Sequence, residues 1–120
     1  MPFNIEQIGT QLAADMIAAL RTDSAKIAAL ARAEGHKLAW SLAQIADMLS
    51  QRHIDSDEAQ VLARVQKDAS ESVFASLAEV SRVAASKAVS RALTSAAGIV
   101  DAAAGFPILG TLLQVAAARS

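Results

Sequence analysis

Between Pro2 and Pro107 the chain contains no proline, and roughly a quarter of its 120 residues are alanine. A proline inside a helix removes a backbone hydrogen bond and clashes with the preceding turn, so this stretch is free to be helical throughout. Alanine has the highest helix propensity and loses no side-chain entropy on folding. Apolar residues recur at spacings of three and four, the period of a helix rather than a strand. The sequence therefore predicts an all-α protein. Alanine also buries little apolar area, at ~25 cal/mol per Å², so each helix adds only weakly to a core. Long helices, close backbone approach or partners must compensate. The expectation is one helical domain over residues 1–120, assembled into a homo-oligomer.

Local signals divide that domain into a long antiparallel helical hairpin and a short third helix. Asn4 caps the first helix, with Gln7 at capping-box spacing and Glu6 near the positive end of the dipole. Ile5, Met16, Ile27, Leu38 and Leu49 then recur every eleven residues, or 3.67 residues per turn. That unshifted stripe predicts one helix over residues 4–50, with a break at Thr22, Asp23 and Ser24 as the alternative, since all three are good capping residues. Asp55 and Glu58 have box spacing and open a second helix over residues 56–104. Its stripe passes through Leu62, Val65, Ala69, Val73, Leu77 and Val80 into Ala84, Ala88, Ala92 and Ala96. The last four form a small-xxx-small ladder that lets another backbone come close, in a membrane or in a water-soluble interface.

The C-terminal quarter carries the functional expectation. Residues 94–118 hold one charge, Asp101, and lie between Arg91 and Arg119. About 25 such residues would be long enough to cross a bilayer as one helix. Gly105, Phe106 and Pro107 interrupt the run, so it reads instead as a helix end, a turn and a short apolar helix over residues 107–118 with Leu109, Leu112 and Leu113. In lipid, Asp101 would have to face a subunit interface or a water-filled lumen. Outside lipid it would be exposed on the last turns of its helix. Trp40, the sole tryptophan, lies about 200° from the Leu38 stripe and predicts a second packing surface or a partner anchor.

Charge and motifs exclude more than they assign. A net charge of −1 argues against a general nucleic-acid binder. Arg82, Lys87 and Arg91 cluster ahead of the apolar run, as on a flank held at an anionic lipid surface or on a solvated helix face. The absence of cysteine removes disulfides and thiol chemistry. No basic region followed by an apolar stretch opens the chain, so no cleaved signal peptide is expected. His36 and His53 have no partner at metal-ligand spacing, and Asp15, Asp47 and Glu79 read as isolated solvated acids. There is no Gly-x-Ser-x-Gly elbow and no phosphate-binding glycine loop. No enzyme activity, cofactor, metal or small-molecule substrate is expected.

The expected protein is a non-enzymatic structural subunit. It self-assembles through long helices and inserts in or docks on a membrane through its C-terminal segment, with a channel as one form of such an assembly. The contact residues would be Ala84, Ala88, Ala92, Ala96, Asp101, Phe106, Pro107, Leu109, Leu112, Leu113 and Trp40. The alternative is a soluble helical oligomer or adaptor for other helical proteins, with the C-terminal run folded back or buried between subunits. In general type the layout resembles small phage-encoded membrane-active or virion-internal proteins and secretion-apparatus subunits. No diagnostic motif carries that resemblance and no residue role is transferred from it.

Overall fold

Four helices, not two, follow one another in the computed structural model, which describes residues 4–21, 23–105 and 108–110, without the side chains of 103 and 104. They are α1 (Ile5–Leu20), α2 (Ala25–Ser50), α3 (Ser56–Ala75) and α4 (Arg82–Ala104). Residues 108–110 are helical again. The all-α expectation holds and the two-helix hairpin does not. A single helix from Ile5 to Leu49 would measure about 65–70 Å at 1.5 Å per residue. The molecule extends 41 Å along its longest axis.

Each break has a local cause. Arg21 takes the left-handed conformation (φ 52°) and its N–H donates to Ala18 O and Ile17 O, ending α1. Ser24 then accepts from Ile27 N at 3.3 Å and starts α2. Arg52 (φ 61°) ends α2 in the same way, with His53 N donating to Met48 O at 2.9 Å. Asp55 and Glu58 form the reciprocal capping box expected from their spacing, at 2.8 and 3.0 Å. The stripe expected to continue through Leu77 and Val80 is instead cut after Ala75. Leu77 N donates to Phe74 O and Val80 N to Leu77 O, two successive turns, before Ser81 caps α4 through Ala84 N.

Short connections make consecutive helices antiparallel. α1 packs on α2 and α4, α3 packs on α2 and α4, α2 touches α4 across the diagonal, and α1 does not meet α3 among the described residues. The core holds Leu12, Met16, Leu38, Leu42, Phe74, Val89, Leu93 and Val100. At the α1–α2 crossing two glycines replace side-chain contact with backbone contact. A Cβ on Gly35 would lie 2.6 Å from Gly9 O and 3.0 Å from Ala13 N. This is one answer to the weak burial of an alanine-rich chain, since closer axes let small residues fill a core.

α3 differs from the expected stripe. Val65 stands 53 % exposed, whereas Ala59, Ala63, Lys67, Ser70 and Phe74 form the buried face. Apolar periodicity misplaced this face because two of its five inward positions are polar.

Candidate functional site

Two places in the bundle hold polar groups under cover. The first is the seam between α2 and α3. Glu34 is 4 % exposed, in the middle of α2. Its Oε1 accepts from Ser70 Oγ at 3.1 Å, and its Oε2 accepts from Lys37 Nζ at 3.2 Å. Two turns further along α2 and one turn back along α3, Ser41 Oγ donates to Gln66 Oε1 at 3.2 Å. Lys67, also on the buried face of α3, ends on Glu71 at 3.0 and 3.3 Å. A buried carboxylate is tolerated only where donors meet it. Here one donor comes from each helix, so the pairs fix the register of α3 on α2. The sequence offered no signal for this seam, since Glu34 and Ser70 are thirty-six residues apart and neither belongs to a motif.

The second place is the end of α4. Asp101 lies in its last turn, where a negative charge opposes the helix dipole. Gly105 ends the helix in the left-handed conformation (φ 75°), donating its N–H to Asp101 O at 2.9 Å. The chain turns back, and the Asp101 carboxylate accepts from two successive amides, Leu109 N at 2.8 Å and Gly110 N at 3.0 Å. These are first-turn amides of the returning helical piece, the groups a helix start leaves unpaired. Gln60 Nε2 on α3 donates to Ile108 O at 3.1 Å. Ile108 and Leu109 are thereby buried to 1 % and 0 % exposure. Asp101 is thus half-buried rather than exposed, and it serves as a clasp for the chain's own return.

The other expected contact residues scatter. Ala88, Ala92 and Ala96 are buried and Ala84 is partly buried; Ala92 and Ala96 belong to the chain's own core and Ala84 packs against it. Leu109 is in that core too. Trp40 is 57 % exposed on the outer face of α2. Phe106, Pro107, Leu112 and Leu113 lie outside the described residues. Asp15, expected as a solvated acid, is half-buried, and its Oδ2 has no hydrogen-bond partner among the described residues. Glu79 is exposed and bonds Lys26 at 2.7 Å, joining the start of α2 to the α3–α4 turn. That hydrogen bond holds its carboxyl below its ordinary value.

No helix among the described residues is long and apolar enough to cross a membrane. No group of three or more His, Asp or Glu there is placed to hold a metal ion. The one serine that meets a buried carboxylate, Ser70, has no histidine beside it among its described hydrogen-bond partners. An open groove between α3 and the start of α4 is lined by Asp68, Glu71, Ser72, Arg82 and Ser86, charges of both signs. The fold and these sites define a four-helix bundle with polar register pins and a clasped C-terminal return. No family model matches the chain, and no curated protein or solved structure matches it.

Proposed function

We propose that the protein is a non-enzymatic structural subunit that docks peripherally on a membrane with its C-terminal quarter. The observation that carries this reading is the division of that quarter into two faces. Its apolar side chains at Ala96, Val100, Ile108 and Leu109 are spent on the chain's own core. Its outward face keeps Thr94, Ser95 and Gly98 with one large aliphatic, Ile99, and follows on from exposed Lys87 and Arg91. An inserted span would need the reverse, apolar side chains turned outward to lipid. Residues 111–118 add Leu112, Leu113 and Val115 beyond the clasp, too few for a span and enough for an interfacial anchor.

A second reading, a helical oligomer or adaptor, is favoured by the exposure of Trp40, Val61 and Val65 on α2 and α3. Flotation with liposomes separates the two when combined with light scattering in detergent-free buffer. The full chain should float, and a version ending at Gly110 should float less while keeping its helical content. Equal failure of both to float, with a defined oligomer in the scattering, would replace the first reading with the second.

A further inference from the structure

Every exposed charge of α3 is an acid (Asp57, Glu58, Asp68), and every exposed charge of α4 is a base (Arg82, Lys87, Arg91). Each helix also turns valine outward. On α3, Asp57, Val61 and Val65 follow at intervals of four, and Asp68 lies within about 40° of Val61 around the axis, at 100° per residue. Val61 is 55 % exposed and Val65 53 %. Glu58 flanks this face on one side and the half-buried Arg64 on the other. On α4, Val83, Lys87 and Arg91 follow at the same interval of four. Exposed Thr94 and Gly98 share their side, and all lie within about 40° of Lys87. Val83 is 64 % exposed. Ile99 stands about 120° from Lys87 and is no part of this face.

Neither face is satisfied within its own molecule. Asp57, Asp68, Lys87 and Arg91 have no ion pair among the described residues. Between Glu79 and Asp101 the sequence has no acid, and the Asp101 carboxylate is turned to the amides of Leu109 and Gly110. Lys87 and Arg91, four apart, repel each other along the helix, a cost that acids from outside remove. The outer face of α2 is different in kind, since it mixes Arg32, Lys37 and Asp47 around Trp40. Among the described residues, exposed valines stand beside charges of a single sign on α3 and α4 alone.

We propose that the α3 face of one copy of this chain docks on the α4 face of a second copy. The complement of each face is present on the same chain and at the same interval. A lipid surface or a nucleic acid would use the bases and leave the acidic, valine-bearing face of α3 without a purpose. The two helices meet antiparallel. Asp57 to Val65 and Val83 to Arg91 each run over eight residues, about 12 Å at 1.5 Å per residue. Val65 therefore meets Val83, the stem of Lys87 covers Val61, and Arg91 reaches Asp57. Asp68 then faces the first turn of the docked α4, the positive end of its dipole. Unlike faces are joined, so each added copy leaves one of either kind free and assembly proceeds head to tail. This inference rests on the reading of the protein as a structural subunit and not on its docking to a membrane.

The test is light scattering over a concentration series of the full chain, in detergent-free buffer without vesicles. The expected result is a mass that rises past a dimer with concentration and falls with salt. Lys87→Glu with Arg91→Glu gives a copy with two acidic faces, and Asp57→Lys with Asp68→Lys gives a copy with two basic ones. Each double variant alone should associate about 30-fold more weakly, from roughly two- to threefold for each of two attractions lost and two repulsions gained. An equimolar mixture should recover association, because every contact between unlike copies again joins opposite charges. All four sites are exposed, so circular dichroism should be unchanged. The chain has no cysteine of its own, which allows a second measurement on milder variants. Copies carrying Val65→Cys and copies carrying Val83→Cys, mixed under gentle oxidation, should cross-link to each other faster than either does to itself. A parent chain that stays monomeric at every concentration, a mixture that recovers nothing, or a preference for like-with-like cross-links would overturn the inference. Flotation reads the membrane contact separately, so either reading can fail while the other stands.

Discussion

Asp101→Ala tests the clasp by the sign of its effect. An acid in the last turn of a helix faces the negative end of the dipole, and its removal alone should stabilise the helix by about 0.3–1 kcal/mol. The structure demands the opposite outcome. Asp101 accepts from Leu109 N and Gly110 N at 2.8 and 3.0 Å. Hydrogen bonds to a charged group contribute about 1.5–3 kcal/mol when well shielded, and helix caps about 0.5–2. For two bonds at a half-buried carboxylate, less the dipole relief, the net loss should be about 2 kcal/mol. A chain of 120 residues unfolds with an entropy near 0.25 kcal/mol per K, so the melting temperature should fall by about 8 °C. Asp101→Asn keeps one acceptor oxygen and should lose about half as much. Urea titrations followed by circular dichroism give both values, and an unchanged slope keeps them comparable. Leu109→Ala removes side-chain burial from the same returning turn. Combined with Asp101→Ala, its loss should fall short of additivity by about 1 kcal/mol, because both act on one element. A neutral or stabilising Asp101→Ala, or strict additivity with Leu109→Ala, would refute the clasp.

The remaining predictions concern the α1–α2 crossing, the polar seam and the surface ion pair. Gly35→Ala gains about 1 kcal/mol of helix propensity but drives a Cβ into backbone atoms of α1, so it should destabilise by about 1–2 kcal/mol net. Gly98→Ala meets nothing within 4 Å at an exposed position of α4 and should stabilise by about 0.5–1 kcal/mol; the pair of melting curves checks both signs. Ser70→Ala leaves Glu34 Oε1 buried without its donor and should cost about 1–3 kcal/mol in urea titration, whereas Ser76→Ala on the exposed turn should cost under about 0.5. The carboxyl of Glu79 is depressed by its hydrogen bond to Lys26, so its contribution to stability is present above the unfolded value. That contribution is lost as pH falls through the lower folded value. Lys26→Gln should remove this component of the acid-side slope: stability falls slightly above the unfolded value, where the pair is formed, and is unchanged at low pH, where the carboxyl is protonated with or without Lys26.

Helical class, the caps at Asn4 and Asp55 and the helix end at Gly105 were legible in the sequence because each depends on neighbouring residues alone. The break at residues 22–24, weighed only as the alternative, and the missed break after Ala75 show where such reading stops. The eleven-residue row through Met16, Ile27, Leu38 and Leu49 does mark buried positions, yet it spans two antiparallel helices that present it to one core. Periodicity reports which face is buried, and it is silent on whether the axis continues. The usual stop residue was missing too, because Arg21 occupies a left-handed position where glycine is the common choice and the end of α3, at Ser76, is right-handed. The α3 face was misread because Lys67 and Ser70 point inward, their burial licensed by partners elsewhere on α2 and α3. Asp101 stood out in the sequence as the single charge of its run. Its partners depend on a turn that brings residues eight and nine positions later back onto it, which no local pattern encodes.

The pairing of α1 with both α2 and α4 sets an order of events during synthesis. α1 can close on α2 as soon as the second helix emerges, and their glycine crossing completes that pair early. Its other flank must wait for α4, whose last turn lies 84 residues beyond Leu20. At ~5–20 residues per second, that flank stays uncovered on the order of ten seconds. The nascent N-terminal pair is therefore the stage at which this chain is most open to chaperones, to a second nascent copy and to proteolysis.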